Sequence, residues 1–171
     1  MTAGTMKLLW SSRSPFVRKV MVAAHEVGVA GRIVTERVVV SANKPSAEVM
    51  ALNPLNKIPT LILQDGATLY DSRVICEYLD SLHHGPKLLP SGGAERWQAL
   101  KRQALGDGLL DVLILRLVEQ NRPRELQSES HLAAYRLKIA AALDRIEAEG
   151  LELAEQPDIG HIAIGCALGY L

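Results

Sequence analysis

Three short groups of residues have the types and spacing to do chemistry. The first is Ser11-Ser12-Arg13-Ser14-Pro15. Pro15 suits the first position of a helix, and Ser14 then falls at its N-cap. A helix start offers unpaired N–H groups and the positive end of the dipole. A thiolate set against Ser14 would be stabilised there and its pKa lowered. Read without chemistry, Ser14 is a helix cap. The second group is Asp71-Ser72, at the start of a helix signalled by Val74, Ile75, Tyr78, Leu79 and Leu82. Free N–H groups and the Ser72 hydroxyl suit a carboxylate, and Asp71 suits an ammonium group. Together they match the two ends of an α-amino acid. Asp71-Ser72 is also an N-cap, and both roles can hold at once. The third group is Ile58-Pro59. Pro59 stands directly before the apolar run Thr60 to Leu63, where a missing N–H is tolerated. The Ile58–Pro59 bond is expected to be cis. The N–H and C=O of Ile58 are then left at an edge, where another extended backbone can pair with them.

Other polar features point to ordinary surface or structure. Arg18-Lys19 reads as a solvated helix face. His83-His84 precedes Gly85-Pro86 and lacks Cys or carboxylate partners at metal spacing, so no metal is expected. Asp107 and Asp111 lie four apart on one helix face and read as solvated charge. Cys76 and Cys166 sit far apart on apolar stretches, which suggests buried thiols in a reducing compartment rather than a disulfide or metal pair.

The elements that must position these groups follow from periodicity. Met6 to Trp10 is a short apolar run, read as a strand. Phe16, Val17, Val20, Met21, Ala24 and Val27 give a helical face that Gly28 ends. Val34 to Val40 reads as a strand, and Ser46 to Leu52 as a short helix. Thr60 to Leu63 and Thr68 to Tyr70 flank Asp65-Gly66, a hairpin signal. The order βαβαββα is a small α/β sandwich. Gly85-Pro86 and Pro90 to Gly93 mark a linker. Beyond it the chain is helical. Ala94 to Gln120 carries Trp97, Leu100, Ala104, Leu109, Val112, Leu113 and Leu117, with Gly106 and Gly108 marking a kink or close packing. Leu132 to Glu149 is amphipathic through Tyr135, Ile139, Leu143 and Ile146. Asp158 to Leu171 is apolar on almost every face, as in the core of a bundle.

Composition narrows the partners. Lys+Arg and Asp+Glu both number 19 among 171 residues, so the formal net charge is zero. That argues against nucleic acid or an anionic membrane as the main partner. Hydrophobic residues make up 48%, enough for a packed core. No apolar run reaches membrane-spanning length. The start MTAGTMKLLW lacks the apolar core of a signal peptide.

KIPTL followed by a hairpin and DSRVICEYL resembles the second half of the thioredoxin-like domain of glutathione transferases. SRSPFVRKVMVAAHEVGV is similar to its first half, and GCALGYL to the family's helical domain. The resemblance spans Met6 to Leu171. It implies a thioredoxin-like, glutathione-binding domain over residues 1–84 and a helical bundle domain over residues 94–171. It implies glutathione as co-substrate, activated as thiolate for attack on a small, apolar electrophile. In tau-like members a segment matching Ser14-Pro15-Phe16 supplies the hydroxyl that donates to the glutathione sulfur. Omega-like members have Cys there and form a mixed disulfide, which Ser14 cannot do. Other classes place the serine earlier in this loop, so Ser11 and Ser12 stay as alternatives.

The resemblance assigns Asp71 and Ser72 to the γ-glutamyl part, and the Ile58 backbone beside Pro59 to the cysteinyl part. Lys44, in the loop before the short helix, could reach the glycyl carboxylate, with Asn43 as competitor; read without the ligand, Lys44 is a solvated surface charge. Asp107 is implied to lie near the cleft and to approach a partner's glutathione. A cytoplasmic homodimer is implied. A non-catalytic binding protein of the same fold, or a glutathione-dependent reductase or isomerase, are the alternatives. The family usually opens its buried helix with Ser/Thr-x-x-Asp; here Asp158-Ile159-Gly160-His161 stands in that place, and only a neutral His161 nitrogen can complete the capping box. Related transferases continue with further helices. A C-terminally shortened chain, or an exposed apolar patch of roughly several hundred Å² around Ile162, Ile164, Leu168 and Tyr170, is therefore expected.

Overall fold

The computed structural model describes residues 4–41, 43–150 and 156–171. The chain divides into two units, Met1–Ser91 and Gly92–Leu171.

In the first unit, strands β1 (Met6–Trp10), β2 (Ile33–Arg37), β3 (Thr60–Ile62) and β4 (Thr68–Leu69) form one sheet in the order β2-β1-β3-β4. Helix α1 (Pro15–Glu26) is the crossover that a parallel β1–β2 pair requires. β3 runs antiparallel to both neighbours. Gly66, at φ 84°, turns the β3–β4 hairpin, and the Asp65 carboxylate accepts from the Ala67 N–H at 2.9 Å. Left-handed backbone of this kind favours glycine. Short α2 (Ala47–Leu52) and α3 (Ser72–Ser81) complete a thioredoxin-like βαβαββα unit. α1 packs against α3. Leu8, Leu9, Val17, Val20, Leu61, Ile75 and Leu79 are fully buried, each contributing about 1.5–3 kcal/mol by leaving water.

Three sequence expectations change here. β2 ends at Arg37 rather than Val40, because its ladder ends where β1 ends, at Trp10 opposite Arg37. Val39 is 80% exposed. Lys19 is buried, not solvated. It lies on the inward face with Val20 and Ala23, and its ammonium stands 5.8 Å from the centre of the Phe16 ring. A lysine can bury its stem and rest its charge on an aromatic face. His83 does have a carboxylate partner, Asp80, at 3.0 Å.

Asp80 does more than that. Buried at the end of α3, it accepts from the Leu88 N–H at 2.9 Å and the Leu89 N–H at 3.1 Å. Lys87 donates to the carbonyls of Asp80 and His83. The segment read as linker is thus bound to the first unit through residue 89.

The second unit comprises α4 (Gly93–Gln120), α5 (Glu129–Ala148) and α6 (Ile159–Leu168). α4 packs on both α5 and α6. Two glycines let α4 and α6 touch backbone to backbone. A Cβ on Gly106 would lie 2.5 Å from the carbonyl carbon of Ala163. One on Gly160 would lie 2.4 Å from the Arg102 Cβ and 2.8 Å from the Ala99 carbonyl oxygen. Gly108 faces open space, so close packing explains only Gly106.

α6 is the bundle's core helix, with Ile159, Ile162, Ala163, Ile164, Cys166 and Ala167 buried. Of the four residues expected in an apolar patch, Ile162 and Ile164 are buried, Tyr170 is half-buried and Leu168 is 43% exposed. Neither Cys76 nor Cys166 forms a disulfide, and both are buried.

Three residues counted with α4's apolar face, Trp97, Ala104 and Leu117, are exposed, because the helix turns its Ala99, Gly106, Leu110 and Leu113 side inward. Asp107, expected to be solvated, shares the buried surface with Gln103 one turn earlier, whereas Asp111 is exposed.

Two carboxylates brace the helical turns. Glu119, near the end of α4, accepts from the Ser128 N–H at 2.6 Å and pairs with Arg122 at 3.1 Å. The Ser128 N–H, then Arg122, hold the Glu119 carboxyl below its usual range against desolvation. Glu149 is lowered likewise, first by Lys101 at 2.8 Å and then by Arg145 at 2.9 Å. At the start of α6 the capping box is complete despite the histidine. Asp158 Oδ1 accepts from the His161 N–H at 2.9 Å, and His161 Nδ1 lies 3.2 Å from the Asp158 N–H.

Candidate active site

The ladder registers decide which candidate groups meet. Trp10 closes β1 opposite Arg37 of β2, and Leu9 pairs with Thr60 of β3. Leu61 pairs with Leu69 of β4. The end of β1, the end of β2, the start of β3 and the end of β4 therefore share one edge of the sheet. Ser11 to Ser14 follow β1, Lys44 lies in the connection after β2, Ile58-Pro59 precedes β3, and Asp71-Ser72 follow β4. The antiparallel and parallel pairings bring all four segments to that end. Ligands commonly bind at the strand ends of open α/β sheets.

Ser14 is the N-cap of α1. Its Oγ accepts from the Val17 N–H at 3.2 Å, and its own N–H donates to the Ser11 carbonyl at 3.1 Å. Pro15 at the first helical position brings no N–H of its own. A hydroxyl carries one donor and two acceptor lone pairs. Accepting from Val17 leaves the Ser14 proton free to donate. Ser14 and Ser11 are half-buried, and Ser12 is exposed. The Ser11 hydroxyl accepts from the Arg13 N–H at 3.4 Å, a long local bond.

The Ile58–Pro59 bond is cis, as expected, and Tyr70–Asp71 is also cis. Among the described residues the Ile58 N–H and C=O have no hydrogen-bond partner. Asp71, not Ser72, is the N-cap of α3. Its Oδ1 accepts from the Arg73 N–H at 2.9 Å. A carboxylate arriving here would therefore meet the Ser72 N–H and hydroxyl rather than the Arg73 N–H. Asp71 is exposed, whereas Ser72 is buried.

Lys44 is exposed. Its competitor Asn43 has its Oδ1 engaged by the Ser41 hydroxyl at 2.6 Å. Asp107 belongs to the second unit.

Sequence reasoning missed the residues that hold the loop. Asn53 is almost fully buried. Its Nδ2 donates to the Lys57 carbonyl at 3.0 Å and the Thr60 hydroxyl at 3.1 Å, while its Oδ1 accepts from the Leu55 N–H at 3.1 Å. Asn56 stands at φ 51°. Both asparagines lie in Asn53-Pro54-Leu55-Asn56, and that density of turn residues was the available signal. Beside them, Val40, Ser41, Pro45, Met50, Pro54 and Leu55 line a shallow groove of about 420 Å³, which includes none of the candidate side chains.

Among the described residues no three metal-ligating side chains gather, and no helix is long and apolar enough to cross a membrane.

This arrangement has close counterparts. Residues 13–82 match the family model of the glutathione S-transferase N-terminal domain. The chain is 36% identical over 169 residues to YibF, an uncharacterized GST-like protein of Escherichia coli strain K12, covering 97% of this chain and 82% of YibF. A glutathione transferase family member from Pseudomonas fluorescens Pf-5, crystallised with bound glutathione, superposes with a TM-score of 0.94 at 44% identity, over 98% of this chain and 82% of that one. A glutathione S-transferase from Methylobacillus flagellatus KT, with glutathione bound, gives 0.85 at 37% identity over 98% and 83% of the two chains. The chain belongs to the glutathione transferase family.

Proposed function

We propose that this protein is a glutathione transferase that activates glutathione as its thiolate for attack on a small, apolar electrophile. The observation that carries this reading is the Ser14 hydroxyl. It accepts from Val17 at the start of α1 and so has a proton to direct at a sulfur beyond the helix end. The helix dipole adds to the stabilisation of negative charge there. Around this point stand a backbone pair at Ile58 suited to the cysteinyl residue and an Asp71-Ser72 helix start suited to the γ-glutamyl ammonium and carboxylate. Lys44 suits the glycyl carboxylate. The relatives crystallised with glutathione support the same ligand.

In this mechanism Ser14 donates to the thiolate, the sulfur forms a bond to the electrophilic carbon, and the leaving group departs with its electron pair. A cytoplasmic homodimer is part of the same reading. The apolar groove around Met50 and Leu55, which are 42% and 64% exposed, supports association.

Titration calorimetry with glutathione, followed by thiol conjugation over a panel of electrophiles, is the test. Binding with turnover is expected. Binding without turnover on any electrophile would favour a non-catalytic role, and no binding would remove the reading.

A further inference from the structure

We infer that Asn56 is a positioning residue that sets the spacing between Lys44 and the Ile58 backbone, and so matches the site to the glycyl end of glutathione. The inference rests on the glutathione reading above.

Asn56 uses both ends of its side-chain amide on distant backbone. Its Oδ1 accepts from the Ser46 N–H at 3.0 Å, and its Nδ2 donates to the Ser41 carbonyl at 3.2 Å. Its own N–H donates to the Asn53 carbonyl at 2.9 Å. One half-buried side chain thus ties the loop before β3 to the connection after β2. Ile58 lies two residues after Asn56. Lys44 lies two residues before Ser46.

The Ser46 contact matters locally as well. Ser46 is the N-cap of α2, and its hydroxyl accepts from the Val49 N–H at 3.3 Å. A cap residue's own N–H lies outside the helical ladder and needs an acceptor from elsewhere. Asn56 supplies it, and so fixes where α2 begins and where the preceding residues leave the helix.

The backbone of Asn56 sharpens the argument. At φ 51° it lies in the left-handed region, which glycine adopts freely and asparagine tolerates. Glycine would satisfy that backbone equally well. Only the amide can make the two cross-loop bonds. The side chain's contribution is therefore separable from the turn itself.

Without those bonds Lys44 and Ile58 would each keep its chemistry, but their separation would have to be ordered when the ligand binds. Ordering on binding lowers affinity. The loss should fall on ligands long enough to span both groups. γ-Glutamylcysteine, which lacks the glycyl residue, cannot reach Lys44 in the same way.

The experiment is calorimetry of glutathione and γ-glutamylcysteine on the full chain and on Asn56→Gly. We expect glutathione to bind about tenfold more weakly to Asn56→Gly, the size of roughly one ordinary hydrogen bond. γ-Glutamylcysteine should change by less than about twofold. Lys44→Met should give a similar glutathione-selective loss, and adding Asn56→Gly to it should change little more. If Asn56→Gly folds poorly, Asn56→Asp keeps the acceptor for Ser46, sets an oxygen against the Ser41 carbonyl, and should show the same selectivity. Equal weakening of both ligands, or no change in either, overturns the inference while leaving the glutathione reading intact. A wild-type protein that binds neither ligand overturns the glutathione reading and this inference with it.

Discussion

Two helices begin with an aspartate cap, and their surroundings differ. Asp158 at α6 is closed in. Its Oδ1 serves the His161 N–H and lies 2.7 Å from the His161 ring, and its Oδ2 faces Arg102 at 3.6 Å. Gly160 beside it lets α4 press against the helix. Asp71 at α3 is exposed and serves the Arg73 N–H with one oxygen. Among the described residues its second oxygen has no protein partner. The same residue type at the same helix position is a structural fastening in one case and an open acceptor in the other. Spare hydrogen-bonding capacity, not the cap itself, distinguishes the start of α3 and is what supports its place in the proposed glutathione site.

Substitutions at the two caps should act on different quantities. The largest effect is expected at the closed start. Gly160→Ala puts a methyl against the Arg102 Cβ and the Ala99 carbonyl, and should lower stability by about 2–3 kcal/mol in chemical denaturation. A change below about 0.5 kcal/mol would mean the α4–α6 contact is looser than its geometry.

Next in size are the charge-neutral caps. Asparagine caps a helix about as well as aspartate. Asp71→Asn should leave stability within roughly 0.5 kcal/mol but weaken glutathione by about 1.5–3 kcal/mol, through loss of a charged partner for the ammonium. Asp158→Asn should do the reverse, lowering stability by about 1 kcal/mol and leaving glutathione affinity unchanged. Calorimetry and thermal melts on both variants check this crossing pattern, and parallel behaviour of the two would remove the distinction.

Ser14→Ala removes a cap and the proposed thiolate donor together. We expect about 1 kcal/mol of lost stability and a higher thiol pKa for bound glutathione, read as thiolate absorbance against pH. If Ser14→Ala leaves that titration unmoved and Ser11→Ala shifts it, the donor is Ser11.

The smallest effect concerns acid stability. Glu119 has its carboxyl lowered in the folded state, so the unfolded chain binds its proton more readily. Its contribution is fully present above the ordinary glutamate range and is lost as pH falls through the lower, folded value. Glu119→Gln should flatten the acid limb of the stability curve, and an unaltered limb would assign that loss to other carboxylates.

Most of the fold was legible because its signals are local. Alternation, helical spacing and turn residues located every strand and α-helix of the first unit, though not the short 3-10 turn at Ala30–Arg32, and the candidate groups Ser14, Ile58-Pro59 and Asp71-Ser72 were each signalled within a few residues. What was not legible depends on distant partners. Lys19 and Asp107 are charged side chains on helix faces, and only the packed structure shows them buried. β2 was read too long because its end is set by the length of β1, not by its own run of valines. Asn53 and Asn56 lie in a turn-rich stretch that signals a turn but not its partners, and the roles of Asp80 and Asn56 arise from backbone groups further along or further back in the chain.

The β3–β4 hairpin has a practical use that follows from the same registers. Its tip, Gln64 to Ala67, is exposed and sits at the other end of the sheet from Ser14, Ile58 and Asp71. Three residues of β3 separate the two ends, roughly 10 Å of extended chain. A fluorophore, a surface linker or a short peptide insert placed at Asp65-Gly66 would face away from the candidate site, so the protein can be immobilised or labelled there and still be assayed for ligand binding.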